Sequence, residues 1–302
     1  MKKGIRRAEF FPREWSLDAC FEAASDYGFR GMELIFRSGL GPVVSGIRRD
    51  PEVIPDGYHG WQTLQPSVTF ATSQDECLGI RKTASHRGIE ICSLASGYST
   101  IDRPGTDRYK QTRDFILSAV VRCNWLGGSS VLVSFEKADT KTSDAEARQW
   151  VVALLREIEP SCRRFAVQIA YELVWPAIYH EPAELRALFE AVGSLFVGCY
   201  YDPANIIQTF SRAGEIRSNP ALPWLQSLRP YVRSVHLKDF SVERGPADLL
   251  DGDVDWPGVR RILAETGYQG WLVAETEVEP AVHTEGLERV SRAVDRFITG
   301  SL

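Results

Sequence analysis

Residues 166–205 read AVQIAYELVWPAIYHEPAELRALFEAVGSLFVGCYYDPAN, and they hold two carboxylates in unusual places. Glu172 follows the apolar run FAVQIAY, and Asp202 ends a second one, LFVGCYY. Short apolar runs of this kind are strands made for a core, as in a parallel sheet. The segment PAELRALFEAVG between them has helical spacing. The stretch is therefore strand, helix, strand, with a charge at each strand tip.

The same alternation runs outward in both directions. GIRRAEFF reads as a strand, followed by helical SLDACFEAASDYGF and the strand GMELIF, whose helix arrives late, near residues 74–87. IEICSLA precedes a helix over about 107–125, and GSSVLVSF precedes the helix SDAEARQWVVALLREIEPSCRRF. After Asp202 come a helix near PALPWLQSLRPY, the strand VRSVHLKD, the helix WPGVRRILAETG, the strand GWLVAETE and a last helix, TEGLERVSRAVDRFITG. Eight such units in 302 residues predict a closed (β/α)8 barrel in one domain spanning 1–302. The longest irregular stretch, 37–73, follows the second strand, so it falls at the carboxyl face of the barrel. Its aromatics and arginines suggest an ordered lid, with His59 and Trp61 as candidate substrate contacts.

Composition narrows the function classes. With 44% hydrophobic and 25% charged residues the chain is ordinary for a globular protein. A net charge of -5 gives no footprint for nucleic acid or an anionic membrane. MKKGIRRAEFF is positive but lacks the apolar core of a signal peptide, and no apolar run is long enough to span a bilayer. Six cysteines without a C-x-x-C pair read as buried reduced thiols, which favours the cytoplasm. GLGPVVSG lacks the dinucleotide spacing and no P-loop occurs, so no nucleotide cofactor is expected.

In a barrel, the carboxyl ends of the strands converge on one mouth. Four successive strands carry ligand-type residues there: Glu172, Asp202, His236 in VRSVHLKD and Glu275 in GWLVAE. They are spaced by roughly 30–40 residues, one strand–helix unit each. Three carboxylates packed together would repel one another without a cation. Three oxygen ligands and an imidazole suit one divalent ion, Mn²⁺ first, with Co²⁺, Mg²⁺ or Zn²⁺ compatible.

These motifs resemble the xylose-isomerase-like barrels of the sugar phosphate isomerase/epimerase family. The resemblance rests on Glu172 at a strand end, DPAN at 202–205, HLKD at 236–239, GDVDW at 252–256 and GYQGWLVAE at 267–275. WSLDACFEAASDYGFRGMEL at 15–34 looks like the family's first βαβ unit, so the likeness covers nearly the whole chain. It implies that Glu172, Asp202, His236 and Glu275 bind the ion and that Glu172 and Glu275 double as the acid/base pair. The activity implied is isomerisation or epimerisation of a ketose or keto-sugar, ketose 3-epimerase-like, through a metal-stabilised enediolate.

Other residues are less sharply defined. Lys238 shares the strand parity of His236 and points to the same mouth, as a substrate contact or a solvated rim lysine. Asn205 stands where some relatives carry histidine, as a hydrogen-bonding substrate contact or a turn cap. Glu33 is a second acid behind the site or a buried strand-end partner. Asp255 and Trp256 read as helix cap and core anchor. His86 and His283 read as surface residues, and Pro182 prevents His180 and Glu184 from forming a helical zinc pair. The chain departs from the family at Leu173 and Pro176, where many relatives have polar residues, which weakens the case for the usual sugar contacts and for a phosphorylated substrate.

Rival functions remain on the same barrel. A dehydratase or lyase of inosose, dehydroshikimate or 3-keto-glycoside type would expel a β-substituent instead of reprotonating. An apurinic-site endonuclease would need a histidine-rich zinc cluster, which five histidines do not supply. A non-catalytic sugar-binding barrel is the bland alternative. The expected partner is a small sugar, with no nucleic acid and no membrane, and pairing through the outer helices would give a homodimer or tetramer.

Overall fold

The structure is a computed structural model that describes residues 1–12, 14–37, 67–214, 220–276, 278 and 284–302. Eight parallel strands close on themselves. β1 (Lys2–Arg6) pairs with β2 (Gly31–Arg37), followed in order by β4 (Glu90–Ile101), β5 (Ser130–Lys137), β6 (Gln168–Glu172) and β7 (Val197–Tyr201). β8 (Val232–Leu237) and β11 (Trp271–Ala274) complete the ring, and β11 returns to β1. The short β3 (Val68–Thr69) adds to the tip of β2. The expected barrel and single domain are both present.

Helices alternate with the strands: α1 (Arg7–Phe10), α2 (Leu17–Asp26), α3 (Gln74–His86), α4 (Asp107–Leu126), α5 (Asp144–Phe165) and α6 (Pro182–Val192). They continue as α7 (Pro203–Arg212), α8 (Ala221–Leu228), α9 (Trp256–Glu265) and α10 (Thr284–Thr299). Serine caps set several starts. Ser73 and Ser143 each form a reciprocal capping box, with Glu76 and Glu146, which satisfies amide hydrogens that the first turn leaves without partners.

Strand alternation separates two cores. Outward residues pack beneath the helices, while Ile35, Cys92, Ala95, Leu132, Ala170, Tyr200, Trp271 and Val273 fill the barrel itself. Trp271 plugs the bottom, where a Cβ on Gly31 would lie 2.4 Å from its ring. Only glycine fits there. Apolar side chains fill most of the lower barrel, and the buried charged residues Glu172, Asp202, His236 and Glu275 lie at its upper end.

Three expectations need correction. The first strand stops at Arg6 rather than running through Phe11, because residues 7–10 coil into α1 and seat Phe10 and Phe11 in the outer core. The single helix expected after Asp202 is two. Asp202 caps α7, with Pro203 at its first position, and α8 follows. A hairpin of β9 (Asp239–Ser241) and β10 (Gly245–Ala247) also stands after β8, where none was expected.

The proposed lid falls mostly on residues 38–66, with His59 and Trp61, which lie outside the described residues. The chain's return from it is described. Arg122 donates from Nε to the carbonyl of Thr72 and from Nη2 to that of Phe70, and Phe36, Phe70 and Phe115 pack edge to face or tilted beneath. All six cysteines are buried and free. Among the described residues, no helix is long and apolar enough to cross a membrane.

Candidate metal centre and active site

Strand parity builds the site. Ala170, Tyr200 and Val273 face the barrel interior, so the residues two places on, Glu172, Asp202 and Glu275, face it too, one layer higher. His236, near the end of β8, completes the set. One ligand atom from each of these four buried residues lies within 4.8 Å of the other three. Nδ1 of His236 stands 2.8 Å from Oε1 of Glu172, 2.8 Å from Oε2 of Glu275 and 3.8 Å from Oδ2 of Asp202.

The donors fit a divalent cation. Glu172 Oε2 is buried and accepts no hydrogen bond, while Asp202 Oδ2 and Glu275 Oε2, equally buried, face Lys238 and Arg6 across ion-pair contacts. Buried carboxylate oxygens are costly unless a cation or donors compensate them. Asp202 shows the division of labour. Its Oδ1 caps α7 by accepting the amide of Asn205 at 2.9 Å, and its Oδ2 is turned toward the cluster.

Two further side chains that the sequence placed at the mouth are packed into the centre. Lys238 is buried, with Nζ donating to Oδ1 of Asn205 at 2.6 Å and lying 3.1 Å from Asp202 Oδ2 and 3.3 Å from Glu275 Oε1. It is not a solvated rim lysine. Asn205 donates from its side-chain amide to Oε1 of Glu172 at 3.1 Å, and its backbone N–H donates to Oδ1 of Asp202, so the cap of α7 is Asp202 and Asn205 is the residue it holds.

Glu33 is completely buried behind His236. Its Oε1 lies 3.2 Å from Nε2 of His236, and its Oε2 accepts from Ser93 at 2.6 Å and Tyr200 at 2.8 Å. With Nε2–H committed to Glu33, Nδ1 is the ring atom left for a cation. The sequence reading missed Arg6, Ser93 and Tyr200. Arg6 Nη1 lies 2.8 Å from Glu275 Oε2, and Arg6 Nε lies 3.4 Å from Glu33 and 3.4 Å from Glu9. The signal for Tyr200 was its inward parity, two residues before Asp202. Arg6 was hidden by reading its strand five residues too long.

The electrostatics express this crowding. Burial drives the Asp202 carboxyl up to about 7, with Lys238 offsetting part of the rise. At Glu275 burial is outweighed by Arg6, Lys238 and His236, which hold its carboxyl well below the usual range. Burial opposes a charge on His236, yet Glu275, Glu33 and Glu172 push its pKa well above the ordinary value. A ring squeezed among carboxylates becomes imidazolium unless a metal takes the place of its second proton.

The remaining candidates are structural or peripheral. Asp255 caps α9 by accepting the Gly258 amide at 2.9 Å, and Trp256 is buried. Its indole Nε1 donates to Asp239 at 2.7 Å, while Asp239 also accepts the amides of Phe240, Leu250 and Val254. A Cβ on Gly252 would lie 2.1 Å from Asp239 Oδ1, so GDVDW is a loop fitted around that carboxylate. His180 is exposed and pairs with Asp144, and its amide donates to Glu184 at the start of α6, apart from the cluster of Glu172, Asp202, His236 and Glu275. His86 is exposed at the end of α3, and His283 lies outside the described residues. Leu173 and Val174 are buried, which keeps the rim after Glu172 apolar.

Similar proteins agree with this architecture. Among solved structures, the IolI protein with a bound zinc atom is 14% identical with a TM-score of 0.70, covering 100% of this chain and 99% of its own. D-psicose 3-epimerase from Clostridium cellulolyticum H10, solved with D-tagatose, is 15% identical with a TM-score of 0.69, covering 99% of each chain. The probable 3-DHS dehydratase AsbF of petrobactin synthesis from Bacillus anthracis is 14% identical with a TM-score of 0.68, covering 98% of this chain and 99% of its own. No curated protein matches the sequence. The model of the xylose isomerase-like TIM barrel matches residues 21–294, and the chain belongs to that family.

Proposed function

We propose that this chain is a divalent-metal-dependent sugar isomerase or epimerase acting on a ketose or keto-sugar. The observation that carries it is the buried quartet Glu172, Asp202, His236 and Glu275, whose ligand atoms converge within 4.8 Å at the carboxyl ends of adjacent strands. These four residues would hold the ion. Their oxygen and imidazole donors favour Mn²⁺, with Co²⁺, Mg²⁺ or Zn²⁺ compatible. A bound ion supplies Lewis-acid polarisation of a substrate carbonyl and its neighbouring hydroxyl.

Proton movement falls to the chain itself. Glu172 on β6 and Glu275 after β11 flank His236 from opposite sides in the strand order. One carboxylate takes the proton from the carbon beside the carbonyl. The other returns a proton to the opposite face of that carbon, which inverts it. Return to the neighbouring carbon on the same face gives aldose–ketose isomerisation instead. Lys238 and Asn205, joined at 2.6 Å, stand beside both glutamates to receive substrate oxygens. Such acid–base assistance is worth on the order of 10²–10⁴-fold in rate.

A second reading, dehydration or elimination, is supported by the buried ammonium of Lys238, a donor placed to protonate a departing hydroxyl. The free buried thiols support a cytoplasmic setting, and pairing through the outer helices would give a homodimer or tetramer. The test is a panel of free, phosphorylated and 3-keto sugars incubated in D₂O with the metal-loaded protein. Deuterium next to the carbonyl, without loss of water, is the expected outcome. An unsaturated ketone would favour elimination, and no exchange with any sugar would leave a binding protein.

A further inference from the structure

Arg6 is the last residue of β1 and is completely buried. Its guanidinium reaches Glu275 through Nη1 at 2.8 Å and Glu33 through Nε at 3.4 Å. Glu33 in turn holds Nε2 of His236. One side chain thus touches a ligand-set carboxylate directly and the carboxylate that orients the ligand-set imidazole. The opposite side of the cluster differs. Apart from His236, the partner of Glu172 Oε1 is the neutral amide of Asn205 at 3.1 Å, whereas Glu275 lies between two cations, Arg6 and Lys238.

We propose that Arg6 is a positioning residue of the cation centre, which clamps Glu275 and, through Glu33, the His236 ring, and so makes the two glutamates unequal. This rests on the metal-dependent function proposed above. A guanidinium suits the task because its planar fork presents donors in fixed directions to two carboxylates at once. An ammonium at the same place is a single point charge. It keeps the local charge balance but cannot hold both carboxylates in one geometry. Groups behind metal ligands that fix their orientation typically matter about 10–100-fold in metal affinity or activity.

The test is Co²⁺ titration of the purified full chain and of Arg6→Lys and Arg6→Gln, followed by visible absorption, which reports the ligand field independently of any substrate. Arg6→Lys retains a buried cation against Glu33, Glu275 and the nearby Glu9 and is the variant expected to fold. Arg6→Gln is scored only if its circular dichroism matches wild type. The expected result is Co²⁺ bound about 10-fold more weakly by Arg6→Lys, with shifted absorption bands. A residue with a merely structural role would lower the melting temperature and leave the bands in place. Wild-type affinity and bands in Arg6→Lys would overturn the assignment while leaving the metal centre standing. A wild-type chain that takes up no Co²⁺ would overturn the metal-dependent function itself, and the role of Arg6 with it.

Discussion

Glu33 and His236 stand 203 residues apart in sequence and meet inside the barrel at 3.2 Å, Oε1 against Nε2. The contact fixes which ring nitrogen faces the carboxylates. Burial raises the Glu33 carboxyl, but His236 and Arg6 more than offset this and hold it below its ordinary value, so it is an acceptor for Nε2–H. Glu33→Gln keeps the shape and removes the charge. Metal affinity should fall by about 10–100-fold, as for other carboxylates behind a ligating histidine. Calorimetric titration with Mn²⁺ or Co²⁺ checks this, and unchanged affinity would mean that Tyr200 and the packing around the ring suffice to orient it.

Glu275→Gln tests proton transfer at nearly constant volume. The amide keeps an oxygen near Arg6 and Lys238 but cannot exchange a proton with substrate. Turnover and deuterium exchange should drop by on the order of 10²–10⁴-fold while circular dichroism stays that of wild type. Glu172→Gln should behave alike. Turnover within a few-fold of wild type in either folded variant would remove that residue from the acid–base pair.

The buried cluster was legible because each member stands at or next to the end of an apolar strand, and the one-unit spacing is a property of the linear sequence. Its supports were not. Arg6 meets Glu33 through the pairing of β1 with β2, and Glu275 through that of β1 with β11, so its role exists only once the barrel has closed. Tyr200 and Ser93 reach Glu33 from two other strands, and parity alone does not name their partner. Strand parity did bring Lys238 to the mouth, but its burial depends on Asp202 and Asn205 from the neighbouring unit. α7 was missed although Ile206, Ile207 and Phe210 keep helical spacing, because DPAN was read as a turn after the strand; its polar residues Asn205, Gln208 and Thr209 are buried as well.

Asp239 holds the GDVDW loop by four donors, among them the buried indole of Trp256. Asp239→Ala leaves those donors without an acceptor. Each unmet buried donor costs about 1–3 kcal/mol, so the variant should lose at least that much stability in urea denaturation. A loss below about 0.5 kcal/mol, the range of an ordinary surface change, would show that solvent or backbone groups replace the carboxylate.

Asp144 gives the acid limb of stability a definite sign. It begins α5, lies 2.7 Å from Lys137 at the tip of β5, and lies 2.8 Å from His180 in the segment before α6. Burial pushes its carboxyl up, but the hydrogen bonds from Lys137 and His180 prevail, and the folded value lies below the ordinary one. A carboxyl depressed by folding binds its proton more readily in the unfolded chain, so stability rises with pH across that interval. The contribution is therefore complete above about pH 4, the ordinary aspartate value, and fades as pH falls through the lower folded value. Asp144→Asn should be less stable than wild type at pH 6, and the gap should close as pH is lowered below 4. Denaturation curves from pH 6 to pH 2.5 measure it, and a gap that stays constant over that range would mean that the stability difference comes from packing or capping of α5 and not from the charge of Asp144.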